Sequence, residues 1–216
     1  MPSLLAEPGV LVGVLASAAL YVHGVRRLWA RAGRERGVKS WQAALFLVGL
    51  FAILVALDSP LERLSAQAFA AHMAQHLLLI LVAGPLLVLG APLLPFLWAL
   101  PRAARPFLGR GSRWLTTLAS PPLAFVFHSV ALWLWHVPPL YEAAVADLNV
   151  HVVEHLSFVV TAALFWWAVL HRIRDGHAAS VLYLFGMAVQ STILGALLLA
   201  FAAFLLAYGL LVARPF

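Results

Sequence analysis

The chain has 216 residues, 64% hydrophobic and only 10% charged, with a formal net charge of +6 and a mean hydropathy of +0.97. A soluble domain is about half apolar and about a quarter charged, so this composition excludes a water-soluble globule and requires lipid around most of the chain. There is no cysteine, which excludes disulfides and thiolate metal sites. The apolar runs are continuous and do not alternate, so the expected fold is all-α and not a β-barrel. It is a polytopic transmembrane helical bundle over residues 1–216, read as a single domain.

Six spans are expected, with a seventh possible. The first runs from Val10 to Trp29, behind Pro8-Gly9, and the second from Trp41 to Leu57, stopped by Asp58-Ser59-Pro60. Glu7 and the lack of a basic stretch ahead of the first run argue against a cleaved signal peptide. The third span runs from His72 to Leu100. It is long for a hydrocarbon layer of about 30 Å, and Gly84-Pro85 predicts a kink, because proline removes a helix hydrogen bond. Pro92 and Pro95 are expected to end its regular part. The fourth span lies between Pro121-Pro122 and His136, followed by a loop over Val137–Asn149, and the fifth covers Val150 to Leu170. The sixth begins near Ala178, in an apolar run to Ala213 that is long for one span and short for two. Tryptophans and tyrosines mostly flank the spans, as an interfacial belt requires.

The loop charges alternate. Arg26, Arg27, Arg31, Arg34, Arg36 and Lys39 follow the first span; Arg102, Arg105, Arg110 and Arg113 follow the third; Arg172 and Arg174 follow the fifth. The intervening loops are acidic or near neutral. By the positive-inside rule the basic loops are cytoplasmic and the N-terminus is outside. This distribution also removes nucleic acid as a partner: the positive charges sit where they orient helices.

On that topology the nine histidines sort by depth. His72 and His76 lie at the outer end of the third span, His136 at the outer end of the fourth, and His151 and His155 at the outer end of the fifth. Two of these contributions are i, i+4 pairs, and such residues share a helix face about 6 Å apart. His128 lies about 12 Å below His136 along the same helix, turned by roughly 80°, as a deeper relay position or a second site. Neutral imidazole suits copper, zinc, iron and nickel. Asp58, Glu62, Glu142 and Glu154 stand nearby as groups to orient the rings. Met73 offers a soft thioether, but about 100° around the helix from His72. His23, His171 and His177 belong to the cytoplasmic side and read as headgroup or loop contacts.

Three functions fit five histidines converging at one depth. The first is a metal-handling or assembly protein. The second is a membrane-embedded zinc hydrolase built on His151-Val152-Val153-Glu154-His155, which matches the H-x-x-E-H string in which glutamate activates a zinc-bound water. The third is a haem-binding electron carrier, which would want single histidines on opposed helices. The paired histidines favour a small ion.

The strings His72-Met73-Ala74-Gln75-His76-Leu77-Leu78-Leu79 and Gly84-Pro85-Leu86-Leu87-Val88-Leu89-Gly90-Ala91-Pro92 resemble the multi-helix membrane CtaG family of cytochrome c oxidase assembly factors. So do His136-Val137-Pro138-Pro139-Leu140-Tyr141, His151-Val152-Val153-Glu154-His155 and Gln190-Ser191-Thr192-Ile193-Leu194-Gly195. The resemblance runs from about Tyr21 to Leu198. It implies a multi-pass protein of the bacterial inner membrane that helps to supply copper to cytochrome c oxidase. The implied partners are oxidase subunits and a periplasmic copper donor, and the implied role is that of a chaperone, not an enzyme. A single-span copper chaperone that shares the name uses cysteines and is excluded here. The family pattern continues into a further helix with Asp-Gln and Met-Trp segments, which this sequence does not contain. The expected metal ligands are His72, His76, His136, His151 and His155, with His128 deeper. Copper is the expected ion, and imidazole ligands accept zinc as well.

Overall fold

A computed structural model describes residues 8–65, 67–101, 103–105, 117–172 and 177–212. Arg102, Arg110, Arg113 and Arg174, used above to orient the chain, lie outside them. Among the described residues every regular element is a helix. Within the described residues five helices are long and apolar enough to cross a membrane, or six if one bent pair counts as a span.

The first two spans are α1 (Pro8–Ala32) and α2 (Ser40–Leu57), followed by a short α3 (Pro60–Ser65). They pack through Tyr21, Val25, Leu28, Phe46 and Leu50, with the Tyr21 and Phe46 rings stacked at 3.9 Å. The third span consists of α4 (Phe69–Leu77), a wide π-helical stretch at Leu78–Ala83, and α5 (Gly84–Leu89).

Pro85 explains that stretch. The Gly84 N–H reaches back five residues to the Leu79 carbonyl, and Pro85 has no N–H to offer Ile80. The Ile80 carbonyl, left without a helical donor, takes the indole N–H of Trp166 at 2.8 Å. Proline is therefore accommodated by a π-turn and a bond from a neighbouring helix.

The third span ends at Leu89 and not at Leu100. Ala91 turns the chain at a positive φ of 48°, and α6 (Leu93–Ala99) folds back along α1. The turn is held by Tyr21, whose hydroxyl donates to the Gly90 carbonyl at 2.6 Å. The approach of α6 to α1 is so close that a Cβ at Gly24 would collide with the Pro95 carbonyl.

The fourth span is bent. α7 (Pro121–Trp135) breaks by 75° into α8 (Pro138–Ala146), which occupies the segment expected to be a loop. Pro138-Pro139 opens α8 in the first-turn position, where a missing N–H is harmless. Next come α9 (Leu148–Trp167), with a π-helical end at Ala168–Arg172, and α10 (His177–Val212). The C-terminal apolar run is thus one continuous helix through Val212. At 1.5 Å per residue, 36 residues span about 54 Å, and its side chains are mostly exposed, as at Leu199, Phe204 and Leu206.

One end of the bundle gathers the start of α4, the start of α9, the end of α7 and the end of α2. There Ala56 and Leu57 pack on Leu79 and Val10. Replacing Trp166 by Phe leaves the Ile80 carbonyl unpartnered inside the bundle. It is expected to lower stability by about 1–3 kcal/mol, read as a lower melting temperature of the detergent-solubilised protein. An unchanged melting temperature would show that the π-turn does not depend on the indole.

Candidate metal centre

The register of α9 is set at its first residue. The Asp147 carboxylate caps the helix, accepting from the N–H groups of Asn149 at 2.7 Å and Val150 at 3.1 Å. Positions 151, 154 and 155 then share the face turned to α4. On α4 the same spacing recurs as His72, Gln75 and His76. All three are buried, as are Glu154 and His155, with His151 half-buried.

The rings form one cluster. His72 and His76 have centroids 4.4 Å apart, His151 and His155 4.3 Å, and His72 stacks on His151 at 5.5 Å. His76 lies 5.4 Å from His155. Glu154, 0% exposed, sits between the pairs, with Oε1 3.7 Å from His72 Nε2 and 3.5 Å from His76 Nε2. Two overlapping ligand sets result, His72–His76–Glu154 and His151–Glu154–His155, each with its donor atoms within 4.8 Å of one another. Glu154, expected to orient a ring or, in a hydrolase, to activate water, is the member common to both.

The donors have no other occupation. The Nε2 atoms of His72, His76, His151 and His155 and both Glu154 carboxylate oxygens are buried without a hydrogen-bond partner. Buried polar groups are almost always partnered, so this concentration of orphaned lone pairs fits a cation. All the donors are imidazole nitrogen and carboxylate oxygen, a set suited to copper or zinc.

Gln75 anchors the α4 side, a role the sequence reading missed. Its amide donates to the Ala56 carbonyl at 2.7 Å and to the Glu62 carboxylate. Both acceptors require the amide nitrogen, which fixes the orientation of the group. Glu62 therefore acts on the site through Gln75. Glu142 is exposed, and Asp58 terminates α2. Tyr141 of α8 meets the His72 ring edge-on at 5.8 Å.

His136 stands beside the cluster, 5.9 Å from His76. It follows the last residue of α7, where its Nδ1 donates to the Leu132 carbonyl at 2.6 Å and its Nε2 lies 3.4 Å from Met73 Sδ. His128 is not in the cluster. Its Nδ1 lies 3.0 Å from Thr161 Oγ1, whose own proton goes to the Ser157 carbonyl at 2.7 Å. Nδ1 is thus the donor and Nε2 keeps its lone pair. His76, His128 and His136 line one apolar groove of about 550 Å³ together with Met73, Trp166 and Met187. Of the remaining histidines, His23 is exposed and His171 stacks on Trp167 at 4.5 Å. The side chain of His177 lies outside what the structure describes.

The family described as cytochrome c oxidase caa3 assembly factor matches residues 19–212. The chain belongs to this family. Proteins of Mycobacterium bovis and Mycobacterium tuberculosis, both named as uncharacterized, are each 30% identical over 149 residues, 63% of this chain and 22% of theirs. An uncharacterized protein of Mycobacterium leprae is 28% identical over 177 residues, 78% of this chain and 26% of its own. The chain thus spans about a quarter of the length of the curated relatives it matches. No solved structure matches it.

Replacing Gln75 by Leu strands the Ala56 carbonyl and the Glu62 carboxylate. It is expected to cost about 1–3 kcal/mol of stability, measured by denaturant unfolding in detergent and metal-free buffer. Wild-type stability in that variant would remove Gln75 from the scaffold of the site.

Proposed function

We propose that this chain binds copper between His72, His76, His151, His155 and Glu154 and hands it to a cytochrome c oxidase during assembly. The observation that carries the reading is Glu154, a carboxylate buried between two histidine pairs with both oxygens unpartnered. A carboxylate removed from water is costly unless a positive charge compensates it. Four imidazole nitrogens around it make a bound cation the natural partner. Family membership supplies the recipient, the oxidase, whose subunits are the proposed partners.

The alternation of loop charges supports placing the chain in a bacterial inner membrane, with the N-terminus and the cluster at the periplasmic side. A periplasmic copper donor would reach it there. The cargo is an ion that exchanges only its ligands, so the proposed role is that of a chaperone. Nitrogen and oxygen ligands without thiolate suit release, because they hold copper(I) less firmly than cysteine would. The Glu154 contacts with both α4 histidines favour a ligand role for the carboxylate over the water-activating role it would have in a zinc hydrolase.

Replacing His76 or His155 by Ala is expected to weaken divalent copper binding at least tenfold, and the double replacement to abolish it, in equilibrium dialysis of the purified protein. Membranes carrying the double variant are expected to lose most of their oxidase activity. Retained divalent copper in the double variant would refute the site. Lost copper with full oxidase activity would refute the delivery role, and bound zinc with hydrolytic turnover would replace it. Glu154→Gln keeps the shape of the side chain and removes its charge. It is expected to lower affinity for divalent copper at least tenfold in the same assay, and an unchanged affinity would exclude the carboxylate from the ligand set.

A further inference from the structure

Met73 and His136 meet at the edge of the cluster, and the chemistry of their contact is unusual. His136 Nδ1 lies 2.6 Å from the Leu132 carbonyl, which can only accept, so Nδ1 carries the proton. In the neutral ring Nε2 is then a bare lone pair. It points at Met73 Sδ, 3.4 Å away, and a thioether also has only lone pairs to offer. The opposite tautomer would set Nδ1 against the carbonyl, the closer and stronger acceptor, so it does not relieve the conflict. In the neutral ring with its proton on Nδ1, two Lewis bases face each other with no hydrogen between them.

We propose that Met73 Sδ and His136 Nε2 form a second metal site, specific for a soft monovalent cation of the copper(I) class and distinct from the buried His/Glu cluster. For metal–nitrogen and metal–sulfur bonds of about 2.0 and 2.3 Å, a 3.4 Å separation between donors corresponds to one ion held at an angle of roughly 100°. A third coordination position stays open to a donor or acceptor group. Thioether and imidazole select copper(I), and the carboxylate-bearing cluster next to them suits a divalent ion better.

It lies at the more accessible margin of the cluster. Both residues are half-buried, whereas His72, His76 and His155 are at most 5% exposed. Met73 and His136 line the groove that reaches His76, and the His136 ring lies 5.9 Å from that of His76. An ion held by the pair would sit one ring away from the cluster. The two ligands come from different helices. Met73 belongs to α4, and His136 stands where α7 breaks by 75° into α8, so that break places its imidazole over α4. The proposal rests on the copper reading of the cluster for its cargo, but its ligands are separate.

The test uses the full chain in detergent. Copper(I), under anaerobic reducing conditions against a competing chelator, and silver(I), as a redox-inert probe, are titrated into wild type, Met73→Leu and the His76→Ala/His155→Ala double variant. Divalent copper is titrated in parallel. Met73→Leu conserves apolar volume and is expected to weaken the monovalent site at least tenfold while changing divalent affinity less than twofold. The double variant is expected to lose divalent copper and keep the monovalent ion. X-ray absorption of the copper(I) form is expected to show a copper–sulfur vector that vanishes in Met73→Leu. Unchanged monovalent affinity in Met73→Leu, absence of that vector in wild type, or equal loss of both ions in either variant would overturn the proposal. Divalent copper retained by the double variant would refute the cluster assignment and leave the Met73–His136 site standing.

Discussion

The structure depends on how one buried carboxyl group is accommodated. Glu154 has no exposed surface, and no hydrogen-bond donor reaches its oxygens. Moving a carboxylate from water to a membrane interior costs several kcal/mol even after relaxation, so a helix that buries one needs compensation from its neighbours. Among the described residues the closest groups available for it are the imidazoles of α4 and of α9 itself. The packing of the two helices and the binding capacity of the site are therefore one problem. Any rotation of α4 against α9 that improved apolar contact would separate the donors from the acid.

Several devices hold that rotation. The Asp147 cap fixes where α9 starts and so which face carries 151, 154 and 155. Gln75 ties α4 to the end of α2 and to Glu62. Below the site, Trp166 of α9 bonds the Ile80 carbonyl of α4's own continuation. Pro85 makes that last bond possible, because it frees the carbonyl that the indole takes. A residue that would destabilise an isolated helix thus becomes an interhelical clamp about one turn below His76. Phe158, buried beneath, closes the floor against the His76 ring at 4.6 Å.

Much of this is legible in the sequence. Continuous apolar runs marked the membrane helices, and the i, i+4 histidines marked the cluster, because both signals are periodic and local. The errors arose where the signal is neither. The turn at Gly90–Pro92 joins two apolar helices, so hydropathy ran through it to Leu100 while the chain reversed at Leu89. The segment Pro138–Ala146 is short and contains Glu142, which disguised a helix as a loop. Gln75 carries no charge and matches no metal motif. Its signal was the repeat of the 151, 154, 155 spacing at 72, 75 and 76, which shows the two helices to be equivalent faces of one site. Glu154 was visible, but an acid near a helix end is usually solvated, and only the packing of α4 shows it to be central.

Met73 marks the limit of reading a helix by itself. Its offset of about 100° from His72 argued against it as a ligand of the main cluster, and the structure does turn it elsewhere. The same offset aims it at the end of α7, where the break before Pro138 has left a histidine with its Nδ1 proton already committed. A straight fourth span would have carried His136 along the α7 axis instead of leaving it at a helix end. The helix break and the angular offset belong to different elements, and neither has meaning alone. Together they set a thioether and an imidazole lone pair beside an all-nitrogen-and-oxygen cluster, so donor softness changes within one ring's distance. The two donor sets would therefore select different ions, a difference built from helix geometry without any cysteine.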